Sequence, residues 1–116
     1  MAKVTVALCL QFALILVSFK SIANDLSPSI IINQTSQYNG QEITVTGTVK
    51  DFKQKVSHRG NNYETYKLCD IQSCISVFAW GMTPHNDGDK VTVSGQFMKI
   101  KHVGQYTFYN ELDVRQ

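Results

Sequence analysis

Residues 40–49 read GQEITVTGTV and residues 88–97 read GDKVTVSGQF, one phrase written twice with a glycine in the same slot, Gly47 and Gly95. Around the first glycine, Ile43, Val45 and Val49 alternate with Thr44, Thr46 and Thr48, the period of a half-buried strand. Gly47 falls in the inward series. Glycine inside a strand weakens it, so its recurrence marks a sharp bend or the close approach of another backbone. Further strands are read at 63–69, 74–80 and 105–114, beside those of the repeated phrase at 42–50 and 90–99. Turn-rich segments at 58–62, 70–73, 81–89 and 101–104 separate them, and no helical periodicity appears after Tyr38. Five strands are too few for two covered sheets, whereas one sheet closed on itself leaves no edge. The expected fold is therefore all-β, a five-stranded barrel. Its two glycine-bearing strands would lie side by side and bend at a single corner.

The first residues follow a different grammar. Met1-Ala2-Lys3 is basic, residues 4–19 are almost wholly apolar, and Ser21-Ile22-Ala23 is a small-x-small triplet. That order is the pattern of a secretory signal peptide over residues 1–23. The apolar run is shorter than a membrane-spanning helix requires, and an uncleaved anchor is the competing reading. Cys9, inside the run, would leave with the signal, and no membrane insertion would follow cleavage. Lys3 and Lys20 would leave too, so nine bases would remain against nine acids. The basicity of the whole chain then belongs to its targeting segment, and net charge gives no reason to expect a polyanion partner. A secreted or periplasmic location follows. In that setting Cys69 and Cys74 read as a disulfide clamping one hairpin, with free thiols or half a metal site as the rivals.

Residues 24–37 form an N-terminal arm or short helix ahead of the barrel at 38–116. Ser27-Pro28 suits a helix start, cap followed by first-turn proline, while Ile30-Ile31-Ile32 favours a strand. One or two helical turns laying Ile30 and Ile31 against the body is the reading taken. Asn33-Gln34-Thr35 fits a glycosylation sequon, which matters only in a host that glycosylates secreted proteins.

Several phrases resemble a known family. Tyr38-Asn39-Gly40-Gln41-Glu42-Ile43-Thr44-Val45-Thr46-Gly47 is similar to the opening of oligonucleotide/oligosaccharide-binding (OB-fold) domains of the tRNA-anticodon-binding type. Leu68-Cys69-Asp70 resembles the L-x-D that ends their second strand. Residues 75–81 and 88–95 resemble their third and fourth strands, so the likeness spans about residues 38–114. Small secreted bacterial OB-fold proteins are similar. The resemblance implies a Greek-key barrel that binds nucleic acid. Two departures stand out. Residues 82–87 are too few for the helix that closes larger OB-folds between strands three and four, so the segment before Tyr38 would plug that end. Thr65 also stands where such domains often carry an aromatic.

OB-folds bind across strands two and three, between the first hairpin loop and the loop joining strands four and five. With Tyr66, Leu68, Ile75, Val77 and Ala79 inward, Tyr63, Thr65, Lys67, Ser76, Phe78 and Trp80 face outward. Tyr63, Phe78 and Trp80 then offer a stacking platform for single-stranded nucleic acid or a similar anionic ligand. His58, Arg59, Lys99, Lys101 and His102 would supply the loops' positive charge, with Lys50, Lys53, Lys55 and Lys67 beside them. The competing reading has these aromatics covering one another or the N-terminal arm, and the alternative function is a protein-interaction or envelope-stress factor whose barrel face docks a partner. Phe52 fits either a binding or a core role. Nothing in the sequence specifies oligomeric state. No nucleophile signature, carboxylate pair or phosphate-cradling loop appears, so the expectation is a binding module, not an enzyme, without a cofactor. Asp87 and Asp89 flank a turn glycine, and His58, His85 and His102 read as solvated loop residues.

Overall fold

The computed structural model describes residues 25–115, so the expected signal segment 1–23 lies outside the described residues. Two short helices, α1 (Pro28–Asn33) and α2 (Thr35–Tyr38), precede five strands: β1 (Glu42–Val56), β2 (Asn62–Cys69), β3 (Cys74–Trp80), β4 (Lys90–Val103) and β5 (Tyr106–Val114). The strands form one sheet that closes in a ring in the order β1-β2-β3-β5-β4. Neighbours pair antiparallel except β3 and β5, which run parallel. β1 and β4 run well past their expected ends at 50 and 99. Their extensions are mostly exposed two-stranded ribbons, and an exposed ribbon has no apolar alternation by which to be recognised.

The repeated phrase is explained by partner exchange. β1 pairs with β4 as far as Thr48↔Lys90, and from Thr48↔Cys69 onward it pairs with β2. β4 makes the same exchange at Gln96, opposite both Glu42 of β1 and Asp113 of β5. Each glycine sits one residue before its exchange, where the incoming strand's backbone occupies the space of a side chain. A Cβ at Gly47 would lie 2.9 Å from the Cys69 carbonyl oxygen, and one at Gly95 would lie 2.8 Å from the Asp113 carbonyl carbon. The single shared corner is corrected. The β1–β4 ladder is antiparallel, so Gly47 faces Val91 while Gly95 faces Ile43, and the two bends lie at opposite ends of it.

The inward residues of every strand meet in one core: Ile43, Val45 and Val49, Tyr66 and Leu68, Ile75 and Val77, Phe97, and Leu112. Ile31 of α1 joins them fully buried. The Ser27 side chain accepts the Ile30 amide at the N-terminus of α1, and Pro28 follows the cap. Cap and proline therefore prevail over the strand preference of three isoleucines. Helical spacing turns Pro28, Ile31 and Ile32 toward the sheet. Ile30, expected against the body, is 44% exposed because it lies on the opposite side of that single turn. Leu26 adds a parallel bridge to β1, donating its amide to Thr44 and accepting from that of Thr46, both at 2.9 Å.

Asp70 ties this arm to the β2–β3 hairpin. Its carboxylate accepts the Ser29 amide at 2.8 Å, the Ser29 hydroxyl at 2.7 Å, and the amides of Gln72 and Ser73. Burial works to raise the Asp70 carboxyl, but the Ser29 hydroxyl and the three amides outweigh it and hold the group well below the usual carboxylate range. The depressed value means that the clamp's stabilisation is present above the unfolded value near pH 4 and is lost as pH falls through the folded one. Asp70→Ala is expected to lower stability by about 2 kcal/mol at neutral pH. Thermal unfolding should show a drop of about 10 °C that narrows in acid. On the same hairpin a disulfide joins Cys69 and Cys74, directly opposite with Cα atoms 4.0 Å apart. Such a bond is compatible with an oxidising compartment. Its short loop limits its contribution to about 2 kcal/mol.

Among the described residues, one acidic side chain lies wholly inside. Glu64 of β2 is 0% exposed and accepts the Thr83 amide, the Thr83 hydroxyl at 2.9 Å and the Gln54 amide nitrogen at 3.3 Å. It anchors the β3–β4 loop across the ring. Tyr66, two residues on, has its phenol pushed up to about 12, first by burial and then by the charge of Glu64.

Candidate functional site

Alternation along β2 and β3 decides what their outer face carries. Glu64, Tyr66 and Leu68 point inward with Ile75, Val77 and Ala79, so Tyr63, Thr65, Lys67, Ser76, Phe78 and Trp80 point out. The register sets Tyr63 against Trp80, Thr65 against Phe78 and Lys67 against Ser76. Three rings form a continuous platform. Tyr63 stacks on Phe78 with centroids 5.2 Å apart, and Trp80 meets both edge-on at 5.1 Å from Phe78 and 5.7 Å from Tyr63.

Thr65, Lys67, Ser76, Phe78 and Trp80 of this face floor a groove of about 750 Å³, and Tyr63 lies outside its lining. Its walls are the ribbon extensions: Asp51 and Lys53 of β1 on one side, Lys101 and Phe108 of the β4–β5 ribbon on the other. Both walls bend at a non-glycine residue of positive φ, Asp51 at 59° and Asn110 at 52°. Asp and Asn tolerate this conformation better than most residues. The Asp87 carboxylate accepts the next amide, that of Phe52, at 2.8 Å and steadies the first bend. At Asn110 the alternation changes phase. Phe108 before it and Glu111 and Asp113 after it therefore line the same groove.

Lys101 is the junction of the site. Its ammonium lies 2.7 Å from Glu111 and 3.0 Å from Asp113, 5.0 Å from the centre of the Phe78 ring and 5.9 Å from that of Phe108. Burial lowers the Lys101 value, but the bonds to Glu111 and Asp113 outweigh it and keep the group above its ordinary range. Glu111, whose side chain is only 6% exposed, is raised to about 7 by burial and then by Asp113, against the pull of Lys101. One ammonium is shared by two carboxylates, so the cluster holds Lys101 charged and makes ionisation of the buried acid costly.

Of the residues singled out by sequence, the structure gathers Tyr63, Lys67, Phe78, Trp80 and Lys101. Lys101, expected as a rim cation, is engaged by two acids, and Lys67 donates to the Ser76 hydroxyl at 2.9 Å. Arg59 sits exposed in the β1–β2 turn and does not line the groove. His102, next to Lys101, projects from the other face of β4, where its Nδ1 lies 3.1 Å from the Thr107 hydroxyl. His58 is exposed and Lys99 donates to the Ser36 hydroxyl of α2. His85 departs from the expected solvated loop residue. It is half-buried and meets the rings of Phe52 at 6.3 Å and Tyr66 at 5.9 Å. Phe52 takes the core role, half-buried with its ring 5.7 Å from Tyr66. Phe108, Glu111 and Asp113 were not anticipated, because simple alternation through β5 fails at Asn110. Among the described residues, no three His, Cys, Asp or Glu side chains converge as a metal site requires, and no helix is long and apolar enough to cross a membrane. Compared with known proteins, the chain matches no family model and no curated protein.

Proposed function

We propose that the chain is a secreted or periplasmic binding module of the OB-fold type, without catalytic activity, that takes single-stranded nucleic acid or a similar anionic ligand along the β2–β3 groove. The carrying observation is the platform of Tyr63, Phe78 and Trp80, of which Phe78 and Trp80 line a groove that also holds Lys53 and Lys67 while Tyr63 packs against both rings. Stacking on such rings is worth about 1–3 kcal/mol per base and tolerates any sequence, while lysines take the phosphates. The OB-fold reading is supported by the ring order β1-β2-β3-β5-β4 with its one parallel pair, by a Greek-key path, and by bends at Gly47 and Gly95. Ile31, buried in the core from an N-terminal helix, takes the place of a helix between β3 and β4. Secretion is supported by the grammar of residues 1–23 and by the disulfide.

Trp80, the single tryptophan and 44% exposed, reports on binding directly. Short oligothymidylate should quench its fluorescence at low salt. With two lysines on phosphates, log affinity should fall against log salt with a slope of about −1.4. Phe78→Ala should weaken binding about tenfold or more. Absence of quenching at low salt would refute the nucleic-acid reading.

The Lys101–Glu111–Asp113 cluster favours a second reading, a protein-interaction or envelope-stress factor, because a groove with both signs of charge also suits a peptide segment. Loss of one envelope partner on Phe78→Ala, without any oligonucleotide response, would put that reading first.

A further inference from the structure

We infer that a single proton on the Glu111–Lys101–Asp113 cluster sets the charge of the groove, so that an anionic ligand is held more tightly when the cluster is protonated. The inference concerns regulation of the groove and rests on its reading as an anion site.

The geometry supplies the device. Glu111 and Asp113 share the Lys101 ammonium at 2.7 and 3.0 Å, so the fully ionised cluster carries one uncompensated negative charge. All three residues line the groove, and the cluster's ammonium lies 5.0 Å from the centre of the Phe78 ring. Ligand phosphates following the platform therefore pass close to that charge. Glu111 is too enclosed for water to stabilise its anion, whereas Asp113 is 27% exposed.

The surroundings offer nothing that would cancel the switch. On β4, uncharged Met98 stands opposite Glu111 and Gln96 opposite Asp113. On β3, Ser76 stands opposite Glu111 and Phe78 opposite Asp113. Behind Ser76, Lys67 of β2 is one hydrogen bond removed. Across the groove, Asp51 and Lys53 of β1 carry opposite charges, and Arg115 adds a cation at the end of β5. None of the histidines lines the groove.

The direction follows from the chemistry. Burial and Asp113 raise Glu111 to about 7, close to neutrality. Below that value Glu111 is neutral and the cluster balances. Above it the groove gains a negative charge and holds phosphate less tightly. Stability runs the same way: for a raised carboxyl, stabilisation is full below the unfolded value of about 4.3 and is lost as pH rises through the folded one.

The test titrates oligothymidylate against Trp80 fluorescence between about pH 5.5 and 8.5, spanning the Glu111 transition. Affinity should fall about fivefold across the range, the effect of one nearby charge partly screened. Glu111→Gln should bind at the low-pH level throughout, with a flat profile. A wild-type protein with no pH dependence, or a Glu111→Gln variant that keeps it, overturns the inference, the second outcome assigning the effect to a group outside the cluster. Carboxyl NMR of the free protein gives a readout that needs no ligand. The Glu111 midpoint should lie near 7, and Asp113→Asn should move it down by about one pH unit. A midpoint in the ordinary carboxylate range removes the switch whatever binds. If the midpoint stands near 7 but no oligonucleotide binds at any pH, the nucleic-acid reading fails and the switch survives.

Discussion

Gly95→Ala is expected to destabilise the protein by about 3 kcal/mol, a lowering of the thermal midpoint by about 15 °C. The added methyl group would stand 2.8 Å from the Asp113 carbonyl carbon and 3.1 Å from the Val114 Cα, so β5 itself would have to move. A flexible side chain gives way to such a group, but a strand hydrogen-bonded on both sides does not. Gly60→Ala is the control. Its φ of 85° disfavours alanine, but nothing lies within 4 Å, and the expected loss is about 1 kcal/mol. Urea denaturation of both variants separates the two roles of glycine. Equal losses would mean that the close approach of β4 and β5 is not what holds Gly95 in place.

The second large effect is expected at Glu64. Glu64→Ala removes the acceptor of the Thr83 amide and hydroxyl and of the Gln54 amide, and opens a cavity in a site with no exposure. A loss of about 4 kcal/mol is expected, since donors left unpaired inside the fold add to the lost packing. Glu64→Gln keeps a carbonyl oxygen for Thr83 and should cost only about 1–2 kcal/mol. Amide exchange separates this anchor from a general core defect. In Glu64→Ala the amides of the 81–89 loop should lose protection more than those of β1 and β4. Uniform loss across the sheet would show that Glu64 does not hold the loop.

The platform was legible because β2 keeps a period of two from Tyr63 to Leu68 and β3 from Ile75 to Trp80, with a tight turn between them. With Leu68, Ile75 and Val77 assigned inward, Tyr63, Phe78 and Trp80 had to face outward together. The opposite wall of the groove was not legible. Phe108 and Asp113 differ by an odd number of residues, so alternation assigns them to opposite faces. Only the positive φ at Asn110 turns both toward the groove. Glu64 was missed for a related reason. It continues the inward series of Tyr66 and Leu68, yet a carboxylate in an inward slot is acceptable only once its donors are known. Those donors come from Thr83 and Gln54, on other elements.

By itself, the sequence determined the five strands short of the β1 and β4 extensions, the inward faces of β2 and β3 and the need for two bends, because each depends on a residue's own conformational freedom or on its near neighbours; at residues 28–36 it left helix and strand in competition. Only the tertiary structure decided where Gly47 and Gly95 sit relative to each other, which charges meet at Lys101, and which residues wall the groove. Those outcomes depend on which strands become neighbours when the sheet closes, and on two bends at Asp51 and Asn110 whose effect is felt many residues away. Periodicity describes the faces of a straight strand, and the site of this protein is built where the strands stop being straight.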